Sequence, residues 1–262
     1  MVSKPEYECR RCGVVFSVEE FLQNKFCPKC GMYLRPKIVK TPFLSRTTKT
    51  LAKPIELSRD DVNVHTLFAE FQRLENFSCG EGVSFRDVDE WISARKRAYA
   101  DFKERFSQKR LVEWEKLRKD FQDFLYFKNN KSWTTLYRSG LKALEDLESL
   151  WKLLVFLQDE SVEIAERVRE GLLSKYHCRG IGQNILTALL HTFDHDKYGV
   201  LNSRTEETLR LLRRKPKQAA DVGLRYVFVN QELLHLRNEL DTDLTTIDSF
   251  MWYVSKIVKV ID

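Results

Sequence analysis

The chain has 262 residues, of which 43% are hydrophobic and 31% are charged, and its formal net charge is +6. This length is enough for one large domain, or for a large domain with a small module. No run of 18 apolar residues occurs, which excludes a membrane-spanning helix, and the first residues lack the apolar core of a secretory signal. We therefore expect a cytoplasmic protein with no membrane partner.

The positive charge is unevenly distributed along the chain. Residues 1–58 hold 11 Lys and Arg against 5 Glu, whereas residues 59–262 hold equal numbers of each sign. A local excess of this kind favours a polyanionic partner. Two further basic clusters lie at Arg95–Arg110 and Arg204–Lys217. Each is typical of a solvated helix face and is also compatible with a binding site.

Four of the six cysteines form two Cys-x-x-Cys pairs that are separated by 14 residues, and a glycine follows each pair. Four thiolates suit a tetrahedral Zn²⁺, and a reducing cytosol disfavours disulfides. The stretch from about Tyr7 to Leu34 resembles a zinc ribbon. The predicted ligands of one structural Zn²⁺ are Cys9, Cys12, Cys27 and Cys30.

The predicted ribbon, residues 1–35, has a basic surface that is compatible with nucleic acid as a partner. Its candidate contact residues are Arg10, Arg11 and Lys29. Residues 36–58 contain three prolines and no helical period, which predicts a basic linker. From residue 59 onwards the apolar residues recur at helical spacing. The predicted fold class is therefore mainly α, a small ribbon with short β-strands joined to an all-α domain at 59–262.

Two glycines flank Ile181, between a helical pattern that runs from Ser161 to about Ser174 and an amphipathic helix that follows. This arrangement, near 161–193, resembles a helix-hairpin-helix motif. The resemblance implies that N–H groups at the start of the second helix bind backbone phosphate. A tight turn between packed helices remains the alternative. The candidate contact residues are Arg179, Gly180, Gly182, Gln183 and Asn184.

The segment after the predicted hairpin contains a polar loop and then Asn202 or Ser203 as the cap of another helix, with Arg204 beside it. This order is similar to that of the helix-hairpin-helix base-excision glycosylases. Asn202 stands where their catalytic aspartate would be, and Gln183 and Asn184 stand in place of the hairpin lysine of bifunctional members. The cysteines of an iron–sulfur cluster are also missing. The resemblance therefore implies the scaffold, with Asn202 and Arg204 as phosphate contacts, and no catalytic residue.

Residues 196–205 also resemble helical modules that accompany DNA restriction and defence systems. The sequence predicts a zinc protein that binds nucleic acid, with DNA expected, through backbone phosphates. A divergent glycosylase-like or nuclease-like enzyme is the main alternative, and an adaptor with protein partners in a DNA repair or restriction complex is another. His191 with His195 is a weaker candidate for a metal centre, because capping and loop solvation account for these residues more simply. His177 with Cys178 is a weaker candidate still for a nucleophilic pair, because adjacent residues on a helix rarely point at each other.

Overall fold

A computed structural model describes residues 7–8, 12, 14–17, 35–36, 55–58, 62–80, 83–107, 112–126, 129 and 139–261 of the chain. The chain divides into two compact units, Met1–Thr47 and Thr48–Asp262. The boundary falls inside the predicted linker.

The first unit contains a three-stranded antiparallel sheet of very short strands. The strands are β1 (Tyr7–Glu8), β2 (Val15–Phe16) and β3 (Arg35–Pro36), in the order β2-β1-β3. Glu8 lies opposite both Val15 and Arg35. The chain therefore leaves β1 and enters β3 at the same end of the sheet.

The second unit is mainly α, as predicted. Its helices are α1 (Val64–Gln72), α2 (Val88–Arg105), α3 (Trp114–Leu125), α4 (Leu147–Leu157), α5 (Ile164–Leu173), α6 (Gln183–Phe193), α7 (Ser203–Leu211), α8 (Val222–Glu239) and α9 (Leu244–Ile257). A 3₁₀-helix, Leu141–Glu145, precedes α4. No helix in the described part of the chain combines the length and the apolar character needed to cross a bilayer.

Helix α6 lies at the centre of the second unit. It packs against α2, α4 and α5, and every residue from Ile185 to Phe193 is buried. A helix that is apolar all round belongs in a core. The expectation of an amphipathic helix is therefore wrong, because three other helices cover its sides. Of α6, only the first turn reaches the surface, where Gln183 is half-buried and Asn184 is exposed.

The second unit also contains two small sheets, so the expectation of an all-α domain is wrong, although the mainly α class holds. Strands β5 (Glu75–Gly80) and β6 (Val83–Asp87) form an antiparallel hairpin whose Phe77 and Phe85 face the core. Strand β4 (Ile55–Ser58), within the predicted linker, pairs in parallel with β7 (Val258–Ile261). This pairing joins sequence positions about 200 residues apart, so no local pattern announces it.

Helices α2 and α9 each follow an aspartate whose side chain caps the first turn. Asp87 caps α2 by accepting from the Glu90 N–H, and Asp243 caps α9 by accepting from the Thr246 N–H. Ser84 and Thr245, which the sequence also offers as helix caps, do not cap a helix, since β6 extends through Ser84 and α9 begins at Leu244.

Candidate nucleic-acid interface

The two glycines of the predicted hairpin have different structural roles. Gly180 has φ +90°, a left-handed conformation that favours glycine. A Cβ there would lie 2.5 Å from the backbone oxygen of Ser139 and 2.8 Å from Cβ of Lys142. Gly180 is therefore a packing turn against the segment that leads into the 3₁₀-helix, and the simpler alternative from the sequence holds for this position.

Gly182 is different because it is exposed and open. It is the N-cap of α6, with φ −93° and ψ 179°, and no side chain caps the helix there. A Cβ would meet nothing within 4 Å. The N–H groups of Gln183 and Asn184 have no intrahelical acceptor, and no other acceptor within the described segments reaches them. A ligand can therefore approach this helix end closely.

The start of α7 lies beside the start of α6. Thr187, one turn into α6, donates its hydroxyl to the backbone oxygens of Gln183 (2.9 Å) and Leu201 (3.2 Å), and it accepts from the Leu201 N–H (3.0 Å). Leu201 immediately precedes Asn202, the N-cap of α7. One buried hydroxyl thus links the two helix N-termini, and the candidate residues near 182 and near 202 come together.

Asn202 caps α7, as predicted, by accepting from the Thr205 N–H at 2.9 Å. Its Oδ1 is therefore engaged, while its amide group remains a donor. Arg204, the second residue of α7, is half-buried and has no carboxylate partner within the described segments. Arg179 pairs with Glu145 at 3.0 Å, with both side chains well exposed. Such a surface pair contributes little, so the Arg179 guanidinium can exchange partners.

The loop between α6 and α7 is held by side chains that bind its backbone. Asn230 accepts from the Gly199 N–H and donates to the Lys197 carbonyl, while Tyr226 donates to the Gly199 carbonyl. Further backbone contacts of this loop come from Arg237, Thr205 and His191. The loop is therefore preorganised, and it fixes the position of the α7 N-terminus relative to α6.

A buried polar cluster joins α2 to α9. Arg95 is 1% exposed and donates to Asp248 (2.5 Å), to the Tyr99 hydroxyl, to the Thr245 carbonyl and to the Ser249 hydroxyl. Arg95 begins the basic cluster Arg95–Arg110, which is typical of a solvated helix face, and that expectation is wrong for this residue because it is buried. In the sequence, the local signal of such a cluster is a single charged residue at a helix position that otherwise faces the core.

His191 lies at the edge of this cluster and is fully buried. Its Nδ1 is 2.7 Å from the Tyr198 carbonyl oxygen, whereas its Nε2 has no hydrogen-bond partner. Burial lowers the pKa of His191 to about 4, with Arg95 acting in the same direction. Burial also raises the pKa of the Cys178 thiol to about 12. Neither side chain is set up as a solvent-accessible base or nucleophile.

The predicted zinc site falls mostly outside the described residues. Cys9, Cys27 and Cys30 are outside them, as are Arg10, Arg11 and Lys29 of the predicted basic surface, while Cys12 is described and exposed. Within the part of the chain that is described, no group of three or more His, Cys, Asp or Glu side chains is arranged for a metal ion. That result does not bear on the four-cysteine prediction.

Comparisons with known proteins identify no relative. No protein-family model, curated protein or solved structure matches the chain.

Proposed function

We propose that this protein binds nucleic acid through backbone phosphates, and that the exposed first turns of α6 and α7 are the principal contact. DNA is the expected ligand. The observation that carries the proposal is the open N-terminus at Gly182, where uncapped N–H groups face solvent at the one surface end of a buried helix.

The charge distribution around α6 supports an anion at this position. A helix dipole places partial positive charge at the N-terminus. The rest of α6 is surrounded by the core, whose low dielectric screens the helix dipole less than water would. Arg204 adds a positive charge at the start of α7, Arg179 adds another when its guanidinium leaves Glu145, and no carboxylate caps α6. Phosphate is the nucleic-acid group that suits this combination.

Three substitutions at Gly182 test the proposal. Gly182→Ala leaves the N–H groups open, Gly182→Asn occupies them with a neutral cap, and Gly182→Asp occupies them with a carboxylate. All three fit the backbone at this position, and Asn and Asp are preferred helix caps. We expect affinity for DNA to decrease in the order Ala, Asn, Asp. Gly182→Asp should lose at least about fivefold, from roughly 1 kcal/mol of charge repulsion.

Binding is measured by fluorescence anisotropy with single- and double-stranded DNA and RNA over a range of salt concentrations. Helical circular dichroism controls for folding. Equal affinities of the Ala and Asp variants would contradict the proposal and leave Gly182 as part of a turn only.

We further propose that the first unit is a zinc ribbon that holds one structural Zn²⁺ and adds basic contacts. The pairing of Glu8 with Val15 closes a six-residue loop that contains Cys9 and Cys12. The pairing of Glu8 with Arg35 connects the chain that follows Cys27 and Cys30 to the same end of the sheet. This connectivity is compatible with a four-thiolate site at one end of the sheet and supports the proposal.

Binding without base release is the expected behaviour. A glycosylase stabilises positive charge on the sugar with a carboxylate. Asn202 is neutral, and its Oδ1 is occupied by the helix cap. Base release from DNA containing uracil, oxidised or alkylated bases, abolished by Asn202→Ala, would instead establish the glycosylase-like alternative.

A further inference from the structure

A basic cleft of about 690 Å³ lies between the end of α7, the segment that follows it and the first half of α8. Its charged lining consists of five cations and one carboxylate: Arg210, Arg214, Lys215, Lys217, Arg225 and Glu206. We call this concavity the α7–α8 cleft. Its net charge is strongly positive, although the second unit as a whole is close to neutral.

Ion pairing leaves part of this charge uncompensated. Arg225 binds Glu206, with Nε at 2.9 Å from Oε1, and Arg214 binds Glu239. Arg210, Lys215 and Lys217 have no carboxylate partner within the described segments, and all three are exposed. Lys217 lies over the Phe228 ring, with Nζ 5.8 Å from its centroid. Three cations thus face solvent in one concavity, which is the arrangement expected of an anion site.

The backbone of the segment that lines the cleft after α7 is fixed by a turn and a proline. α7 ends in a Schellman motif, in which the Arg214 N–H donates to the Leu209 carbonyl at 2.7 Å and Arg213 takes a left-handed φ of +59°. The chain therefore reverses sharply after α7. Pro216 then fixes its own φ between Lys215 and Lys217, which restricts the backbone of this segment before any ligand is bound.

The cleft lies on the same exposed stripe as the start of α7. Ser203 and Arg210 are both exposed and are seven residues apart, which is close to two helical turns and about 10 Å along the axis. Phosphates of one duplex strand rise about 3.4 Å per nucleotide. For a duplex whose axis is parallel to α7, this separation corresponds to about three nucleotides along one strand.

We propose that the α7–α8 cleft is a second phosphate-binding subsite, which holds the same nucleic-acid backbone that the Gly182 end contacts. The inference rests on the proposed function. Arg210 and Lys215 are assigned as phosphate contacts. Glu207 is exposed on the stripe between the two subsites, so its carboxylate opposes the strand that passes there.

The test compares the salt dependence of DNA binding in matched variants of the full chain. Arg210→Gln with Lys215→Gln removes two cations from the cleft. Lys116→Gln with Lys119→Gln removes two exposed cations from α3 and serves as the control of equal charge. The first pair should lower the slope of log K against log salt by about 2, so the affinity lost between about 50 and 200 mM salt becomes roughly tenfold smaller. The control pair should leave the slope unchanged, and Glu207→Gln should tighten binding.

Two results would overturn the inference. An unchanged slope in the cleft pair, with Gly182→Asp still weakening binding, would remove the second subsite and leave the proposed function intact. Loss of inorganic pyrophosphate binding in the cleft pair, with DNA binding unaltered, would make the cleft a site for free phosphates. If the wild-type protein binds neither DNA nor RNA, or if Gly182→Asp binds as tightly as Gly182→Ala, the proposed function itself fails.

Discussion

Substitution by alanine should destabilise the protein at Gly180 and leave its stability unchanged at Gly182, although the two residues are only two positions apart. At Gly180, alanine must adopt φ +90°, which costs about 1–2 kcal/mol for an L-residue. Its Cβ would also lie 2.5 Å from the Ser139 oxygen and 3.1 Å from the Ala143 nitrogen. Both are backbone atoms, so relief requires movement of the packed segment, at a further cost of about 1–3 kcal/mol.

The unfolded chain offsets part of this loss at Gly180. Alanine restricts the unfolded chain more than glycine does, which returns about 0.4–1 kcal/mol. The expected net destabilisation by Gly180→Ala is therefore about 1–5 kcal/mol. For a unit of this size the melting temperature should fall by roughly 2–20 °C.

Gly182→Ala is the matched control. Its φ of −93° is open to any residue, and the new Cβ meets nothing within 4 Å. The weaker capping preference of alanine and the restricted unfolded chain are of similar size and opposite sign, so the net change is about zero, within roughly 0.5 kcal/mol. Urea and thermal unfolding followed by circular dichroism measure both variants. Equal stability of the two proteins would refute the assignment of Gly180 as the packing residue.

Three further outcomes are expected. The free energy of unfolding should fall by about 2 kcal/mol from pH 7 to pH 5, because His191 of the unfolded chain binds a proton near its ordinary pKa of 6.5, while the folded histidine stays neutral down to about pH 4. Urea titrations should show less pH dependence in His191→Gln than in the wild type. An equal pH dependence would contradict this prediction. Asp248→Asn should cost about 3 kcal/mol because it leaves the buried Arg95 without its carboxylate. Asp243→Asn, at the more exposed pair with Lys96, should cost less than about 1 kcal/mol in the same denaturation assay, and similar losses would argue against this account. Metal analysis should give one zinc per chain, lost in Cys27→Ser with the helical unit still folded; zinc retained at full content would exclude the four-cysteine site.

The sequence by itself predicts the features that depend on a few neighbouring residues. The mainly α class, the turn between α5 and α6, and the cap at Asn202 each depend on groups within about four residues of one another. The four-cysteine spacing is a local signal of the same kind, and it remains a prediction. Helix periodicity and capping are properties of neighbouring residues, so no knowledge of distant contacts is needed to recognise them.

The tertiary structure determines the features that depend on contacts between segments distant in the sequence. The same Gly-x-Gly sequence became a packed turn at Gly180 and an open helix end at Gly182, because the segment before the 3₁₀-helix covers only the first. Of two similar basic clusters, one contributes the buried Arg95 and the other lines an open cleft, because Asp248 on α9 lies within reach of the former alone. Arg95 and Asp248 are 153 positions apart, and the cost of leaving a buried charge unpaired makes that distant partner decisive.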